Sequence, residues 1–283
     1  MSHRMCSNRV KTEYASVILH SIGTHISGII VCMRICCFAL CLTFLSLYSE
    51  SQVVTPIDGL YSAQESFCKK AKGSDQRAAF LETLTNDAVV FRPGPTNGLT
   101  YWQGVKPDGI TLDRNVRFAD VSSNGLLGYT TGSWTSTEKK DGKSVEHSGE
   151  YVSIWERRNL EGFRSVLDIT TRHDDLVGDS PIGGGAVTKD PNTRGWSATN
   201  DAMAFLRTSM QGGGLAAALS ASSMDDVRLL IDDEAPVVGR KAVVEAAKIY
   251  TSMGFPEHVA IYQSADMAYF WNQCRYQNNT EGV

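Results

Sequence analysis

This sequence is poor in the short signatures that announce chemistry. It contains no G-x-S-x-G elbow, no H-E-x-x-H helix and no C-x-x-C pair, so the common hydrolase, metalloprotease and redox motifs are missing. Cysteine is scarce where a fold would use it. Cys6, Cys32, Cys36, Cys37 and Cys41 crowd the first 41 residues, leaving Cys68 and Cys274 for the rest of the chain. Two cysteines so far apart make no disulfide framework, and both are expected to be free thiols. The glycine triplets Gly183-Gly184-Gly185 and Gly212-Gly213-Gly214 lack the strand and lysine of a phosphate loop. Asp232-Asp233-Glu234 has no following loop of alternating oxygen ligands, so a solvated acidic turn is expected rather than a calcium site. No metal and no cofactor are expected. Net charge is only -4, which gives no electrostatic case for nucleic acid or an anionic membrane.

What is present is an ordinary globular composition, 42% hydrophobic and 20% charged over 283 residues, with room for about two domains. MRICCFALCLTFLSLYSESQ begins at Met33. Arg34, a compact apolar run from Ile35 to Leu47, and small residues at Ser49 and Ser51 have the layout of a secretory signal. Residues 1–51 are thus expected to be an upstream extension plus a signal at about 33–51, with the mature protein periplasmic or secreted. The alternative is a membrane anchor from Val17 to Leu47, weakened by His20, Ser21, Thr24, His25 and Arg34.

Residues 52–173 read as one α+β unit. Tyr61 to Lys72 has helical spacing and closes at Gly73, and Ser74 and Asp75 can cap a second helix. A short strand, Ala88–Phe91, stops at Pro93-Gly94-Pro95, and four more follow: Val116–Val121, Leu126–Thr137, Val145–Glu156 and Phe163–Arg172. The turns between them hold Asn124-Gly125, Asp141-Gly142 and Glu161-Gly162, which suit antiparallel connections. Residues 174–195, rich in glycine, proline and polar groups, read as a linker. The order of elements then recurs at a period of roughly 140 residues. Pro95 falls on Pro236, Gly98 on Gly239 and Tyr129 on Tyr269, so residues 196–283 are expected to be a second copy, shorter by two strands at its C-terminus. A fragment, a frameshift or a completing partner strand would each account for that shortfall, and the fragment is favoured because a bare sheet edge invites aggregation.

The strings AAFLETLTNDAVVFRPGPTNG, SSNGLLGYTTGSW, SGEYVSIWERR and GFRSVLDITTRH, in that order, resemble the nuclear-transport-factor-2-like superfamily. That family includes ketosteroid isomerase, scytalone dehydratase and the SnoaL-type polyketide cyclases. The resemblance covers about Leu60 to His173, more weakly Trp196 to Val283, and is nearest to exported bacterial members of unassigned function. It implies a cone-shaped fold, two to three helices packed on a curved antiparallel sheet, with an apolar pocket and often a homodimer.

Asp168 sits in the apolar string SVLDI, where desolvation would favour its neutral form and suit a general base. The alternative is a structural carboxylate held by an arginine such as Arg172. His173 is the second catalytic candidate. Five residues on along the strand, it faces away from Asp168 unless a bulge intervenes. Tyr129, Trp134, Tyr151 and Trp155 are candidate ligand-lining groups, with core packing as the other reading. Arg92 is a candidate for closing the pocket or binding a carboxylate. The favoured function is an exported protein that binds a small apolar or carbonyl-containing molecule. An isomerase or dehydratase using Asp168, and an oligomeric assembly module, are the alternatives.

Overall fold

The computed structural model describes residues 55–173 and 214–278, apart from short stretches at 74, 93, 108, 159–161, 224, 226, 254–257, 265–266 and 274–275, and also residues 204 and 208. The expected signal, the linker and Cys274 lie outside the described residues. Among those described, no helix is long and apolar enough to cross a membrane.

Helix α1 (Pro56–Gly73) starts where the chain makes it easy. Pro56 suits the first helical position, and Thr55 and Asp58 cap one another through the Thr55 backbone N–H (3.1 Å) and hydroxyl (2.5 Å). Leu60, Gln64, Phe67 and Ala71, spaced four, three and four apart, form its buried stripe. Helix α2 (Gln76–Thr83) is capped by Asp75, whose carboxylate accepts from the Arg77 backbone N–H at 2.9 Å. Strand β1 (Leu84–Phe91) begins four residues earlier than the β-branched run suggested, and a short strand, β2 (Pro95–Asn97), folds back against it. Helix α3 (Gly98–Gly104) occupies the glycine-containing stretch after Pro95, which reads from the sequence as a loop; Asn97 caps it by accepting from the Thr100 N–H at 2.9 Å. Its first residue, Gly98, is packed so closely that a β-carbon would lie 2.8 Å from Leu84.

Four long strands complete this half: β3 (Thr111–Val121), β4 (Leu127–Lys140), β5 (Lys143–Arg157) and β6 (Phe163–Arg172). Asp141 and Gly142, both at positive φ, make the two-residue turn between β4 and β5. The sheet order is β2-β1-β6-β5-β4-β3, antiparallel except for the β1–β6 pair. Register shifts between Val116 and Phe118 and between Ile154 and Trp155 mark bulges, which bend a sheet. The result is α+β, with three helices on one face of a curved, mainly antiparallel sheet.

The remainder consists of α4 (Gly214–Ser222), the strand pair β7 (Arg228–Leu229) and β8 (Val237–Val238), α5 (Arg240–Ala246), a single 3-10 turn, and strands β9 (Tyr250–Met253), β10 (His258–Ser264), β11 (Met267–Gln273) and β12 (Tyr276–Asn278). β10 pairs with β11, and β9 with β12.

Side-chain alternation divides the six-stranded sheet cleanly. Ala88, Val90, Ala119 and Trp155 face the helices and pack with Leu60, Phe67, Phe80 and Trp102. Phe91, Phe118, Leu127, Tyr129, Val152, Ile154 and Leu167 face the other way, and Met267, Tyr269 and Trp271 of β11 cover them. Phe270, on the opposite face of β11, packs on Leu215, Leu219 and Val243 of α4 and α5.

Candidate functional site

The helix-facing side of the sheet carries a buried polar cluster centred on Asp168. Arg114 reaches it from β3 and binds it through two parallel bonds, Nη1 to Oδ2 at 2.8 Å and Nη2 to Oδ1 at 2.9 Å. Ser153, directly opposite Asp168 on β5, donates to the same Oδ2 at 2.5 Å and accepts from Arg114 Nη1 at 3.0 Å. The Arg114 and Asp168 side chains are only 1% and 2% exposed, so the pair is sealed. The Arg114 guanidinium carbon also lies 4.8, 5.4 and 4.3 Å from the ring centres of Phe67, Phe80 and Tyr151. Burial works against its charge, but the Asp168 carboxylate outweighs that and raises the guanidinium above its ordinary value.

This environment corrects the expectation that Asp168 stands among apolar groups. Both of its oxygens already accept, and the arginine is Arg114 rather than Arg172, whose side chain instead meets His147 Nδ1 at 2.8 Å. A carboxylate engaged in this way is badly placed to take a proton from a ligand. Arg114 escaped the sequence reading because β3 was expected to start at Val116. With the strand extended back to Thr111, the alternation Leu112, Arg114, Val116 would have placed an arginine in the helix-facing row.

His173 and Asp168 are on opposite faces. His173 Nε2 lies 3.9 Å from Glu150 Oε1, and Glu150 is bound by Arg117 Nη1 at 2.8 Å. Burial raises the Glu150 carboxyl above its ordinary value, against the pull of Arg117, His173 and Arg228. The strand stays regular across Asp168–Arg172, opposite Gly149 to Ser153, so no bulge brings the histidine round.

The four aromatic candidates separate in the same way. Tyr129 belongs to the other face, stacked on Phe118 with ring centres 5.6 Å apart, so it does not share a space with Tyr151. Trp134 is half-buried against the helix-facing cluster, its indole N–H shared between the carbonyls of Glu150 and Thr171, each at 3.1 Å. That crossing depends on Gly149, where a β-carbon would meet the Thr171 carbonyl oxygen at 1.8 Å. Trp155 is buried on the helix-facing side. Its N–H donates to Thr130 Oγ1 (3.0 Å), which donates to Gln64 Oε1 (2.8 Å), while Gln64 Nε2 donates to Cys68 Sγ (3.1 Å). Burial raises the Cys68 thiol above its ordinary value, with Gln64 opposing.

Tyr151 is wholly buried beneath Arg114. Its hydroxyl lies beside that of Thr130, which donates to Gln64 and accepts from Trp155, and the phenol makes no hydrogen bond of good geometry. Burial pushes it well above the ordinary tyrosine value. Arg92, half-buried just beyond β1, donates through Nη1 to the Phe91 carbonyl (2.9 Å) and Thr170 Oγ1 (2.8 Å). The structure thus brings Asp168, Tyr151, Trp155, Arg92 and the half-buried Trp134 to one face, and sends Tyr129 and His173 to the other. Among the described residues, no group of three or more His, Cys, Asp or Glu could hold a metal ion.

The chain is similar to nuclear-transport-factor-2-like structures. A conserved protein from Planctomyces limnophilus is 15% identical, covering 40% of this chain and 94% of its own, at a TM-score of 0.35. A nuclear transport factor 2 (NTF2-like) superfamily protein from Salmonella enterica is 12% identical, covering 44% and 96% at 0.35. A ketosteroid isomerase-like protein from Erwinia carotovora atroseptica is 13% identical, covering 41% and 95% at 0.34. No family model and no curated protein matches.

Proposed function

We propose that this protein binds a small, mostly apolar molecule bearing a carbonyl or carboxylate oxygen, on the helix-facing side of its first sheet. One observation carries the reading: this face has donors left over and no base left over. Asp168 is fully engaged by Arg114 and Ser153, whereas the half-buried Arg92 bonds through Nη1 alone and the Tyr151 hydroxyl beneath Arg114 makes no hydrogen bond of good geometry. Buried donors left unpaired are costly, and an oxygen acceptor on a ligand would relieve that cost. Binding therefore suits this site better than proton abstraction by Asp168.

Export through residues 33–51 is part of the same proposal, as is duplication. The succession of a strand pair and a glycine-led helix in both halves, β1–β2–α3 from Gly98 and β7–β8–α5 after Gly239, supports the latter. The test is native mass spectrometry of the full chain mixed with a panel of apolar ketones and carboxylates. A retained adduct is expected, and Tyr151→Phe should weaken ketone retention by about threefold to tenfold. A bare protein mass across the whole panel would overturn the reading. The same spectrum reads the oligomeric state, where a homodimer is the expectation.

A further inference from the structure

The helix-facing row of β1 runs through Ala88 and Val90 and reaches Arg92 just past the strand's last residue. Val90 lies opposite Asp168 on β6, and the Arg92 side chain reaches Thr170, two residues further along that strand. Arg92 from the β1 flank and Arg114 from the β3 flank therefore approach the same stretch of β6 on the helix-facing side, with one carboxylate between them. Arg114 holds both oxygens of Asp168, and Arg92 receives only neutral acceptors, the Phe91 carbonyl and the Thr170 hydroxyl. Both of those bonds use Nη1. Among the described residues, Nε and Nη2 have no hydrogen-bond partner and no carboxylate pairs with them. Arg92 as a residue is half-buried, unlike Arg114, which is sealed.

A crowded guanidinium without a counter-charge is expensive, and here the surplus is countable. Two arginines face one aspartate. Burial pushes the Arg92 guanidinium below its ordinary value, and Arg114 adds to that, while Asp168, Tyr101 and Asp232 oppose it. Asp232 acts only from a distance: it is exposed, and its Oδ1 accepts the Arg172 backbone N–H at 2.6 Å. The side left free, Nε with Nη2, is the edge of a guanidinium that presents two parallel N–H bonds to a planar carboxylate.

We infer that Arg92 anchors a carboxylate on the bound molecule, so that the ligand class is a small apolar monocarboxylate. Thr170 and the Phe91 carbonyl hold the guanidinium in place from behind, leaving the Nε–Nη2 edge for the ligand. This rests on the binding reading above and adds the charge of the ligand to it.

The test compares 4-phenylbutyrate with its uncharged isostere 4-phenylbutyramide by titration calorimetry on the full chain. The acid should bind at least about tenfold more tightly, the range of a charge-assisted pair. Arg92→Gln should bring the two ligands within about twofold, and Arg92→Lys should keep part of the preference, since a point charge replaces a fork. Equal binding of acid and amide to the native protein, or an unchanged preference in Arg92→Gln, overturns the anchor but leaves the binding reading standing. No binding of either ligand overturns both. Inorganic phosphate displacing the acid as well as butyrate does would make the site a general oxyanion site and overturn the apolar carboxylate. Should Arg92→Gln fold poorly, Thr170→Val removes a support of Arg92 and should reduce the acid preference about threefold.

Discussion

Between Pro56 and Arg172 six strands share one sheet, whereas between Arg228 and Asn278 the six described strands form three separate pairs. The first region covers one sheet face with its own helices and buries an ion pair there. In the second, α4 and α5 pack on Phe270, and the opposite face of β11 closes against the first region's sheet through Met267, Tyr269 and Trp271. Phe91 and Trp271 meet edge to face across that boundary, their ring centres 6.0 Å apart. A two-stranded hairpin is marginal alone, so the second region borrows a surface that the first would otherwise expose. The dependence is mutual but unequal. The first region has a core of its own beneath the helices, and the second has only a small one.

The largest break in that comparison should come from Arg114→Ala, which strands Asp168 inside the first region. A loss of about 3–5 kcal/mol is expected in urea denaturation. The double change Arg114→Met with Asp168→Leu should recover most of it, because the penalty lies in the unpaired charge rather than in the absent pair. A double variant as unstable as the single one would show that the pair itself, with Ser153, is indispensable.

Trp271→Ala should cost somewhat less, about 2–4 kcal/mol, because the indole is buried at the boundary between regions. Hydrogen exchange should then quicken in β10 and β11 and much less in α1 and β6. Equal quickening in both regions would mean that they unfold as one unit and depend on each other equally.

The smallest effect concerns Glu150, on the side of the sheet that faces the second region. Its folded value is raised, so its contribution is fully present at acid pH and is lost as pH climbs from the ordinary glutamate value of 4.5 through the raised one. Glu150→Gln should flatten that part of the stability–pH curve, by on the order of 1 kcal/mol, in thermal melts taken across that window. A steeper curve in the variant would mean that Arg117 and His173 hold the carboxylate ionised more strongly than burial opposes it.

Much of this was legible in the chain because it is local. The helical spacing of Phe67 and Ala71, the cap at Asp75 and the turn at Asp141-Gly142 are set by neighbours within a few residues, although the helix itself starts at Pro56, five residues before the expected Tyr61. So was the facing of His173 away from Asp168, which needs only the period of a strand. Strand starts were read too late at β1 and β3, where polar residues such as Thr85, Asn86, Asp113 and Asn115 dilute the apolar pattern although the ladder continues through them. What the sequence could not decide is what comes to meet each face. That Arg114 crosses to Asp168 54 positions away, that Tyr129 meets β11, and that Arg92 meets no carboxylate among the described residues all follow from which strands lie side by side and which region covers them. Periodicity tells a side chain which way to point. Only the assembled sheet determines what charge or ring it finds there.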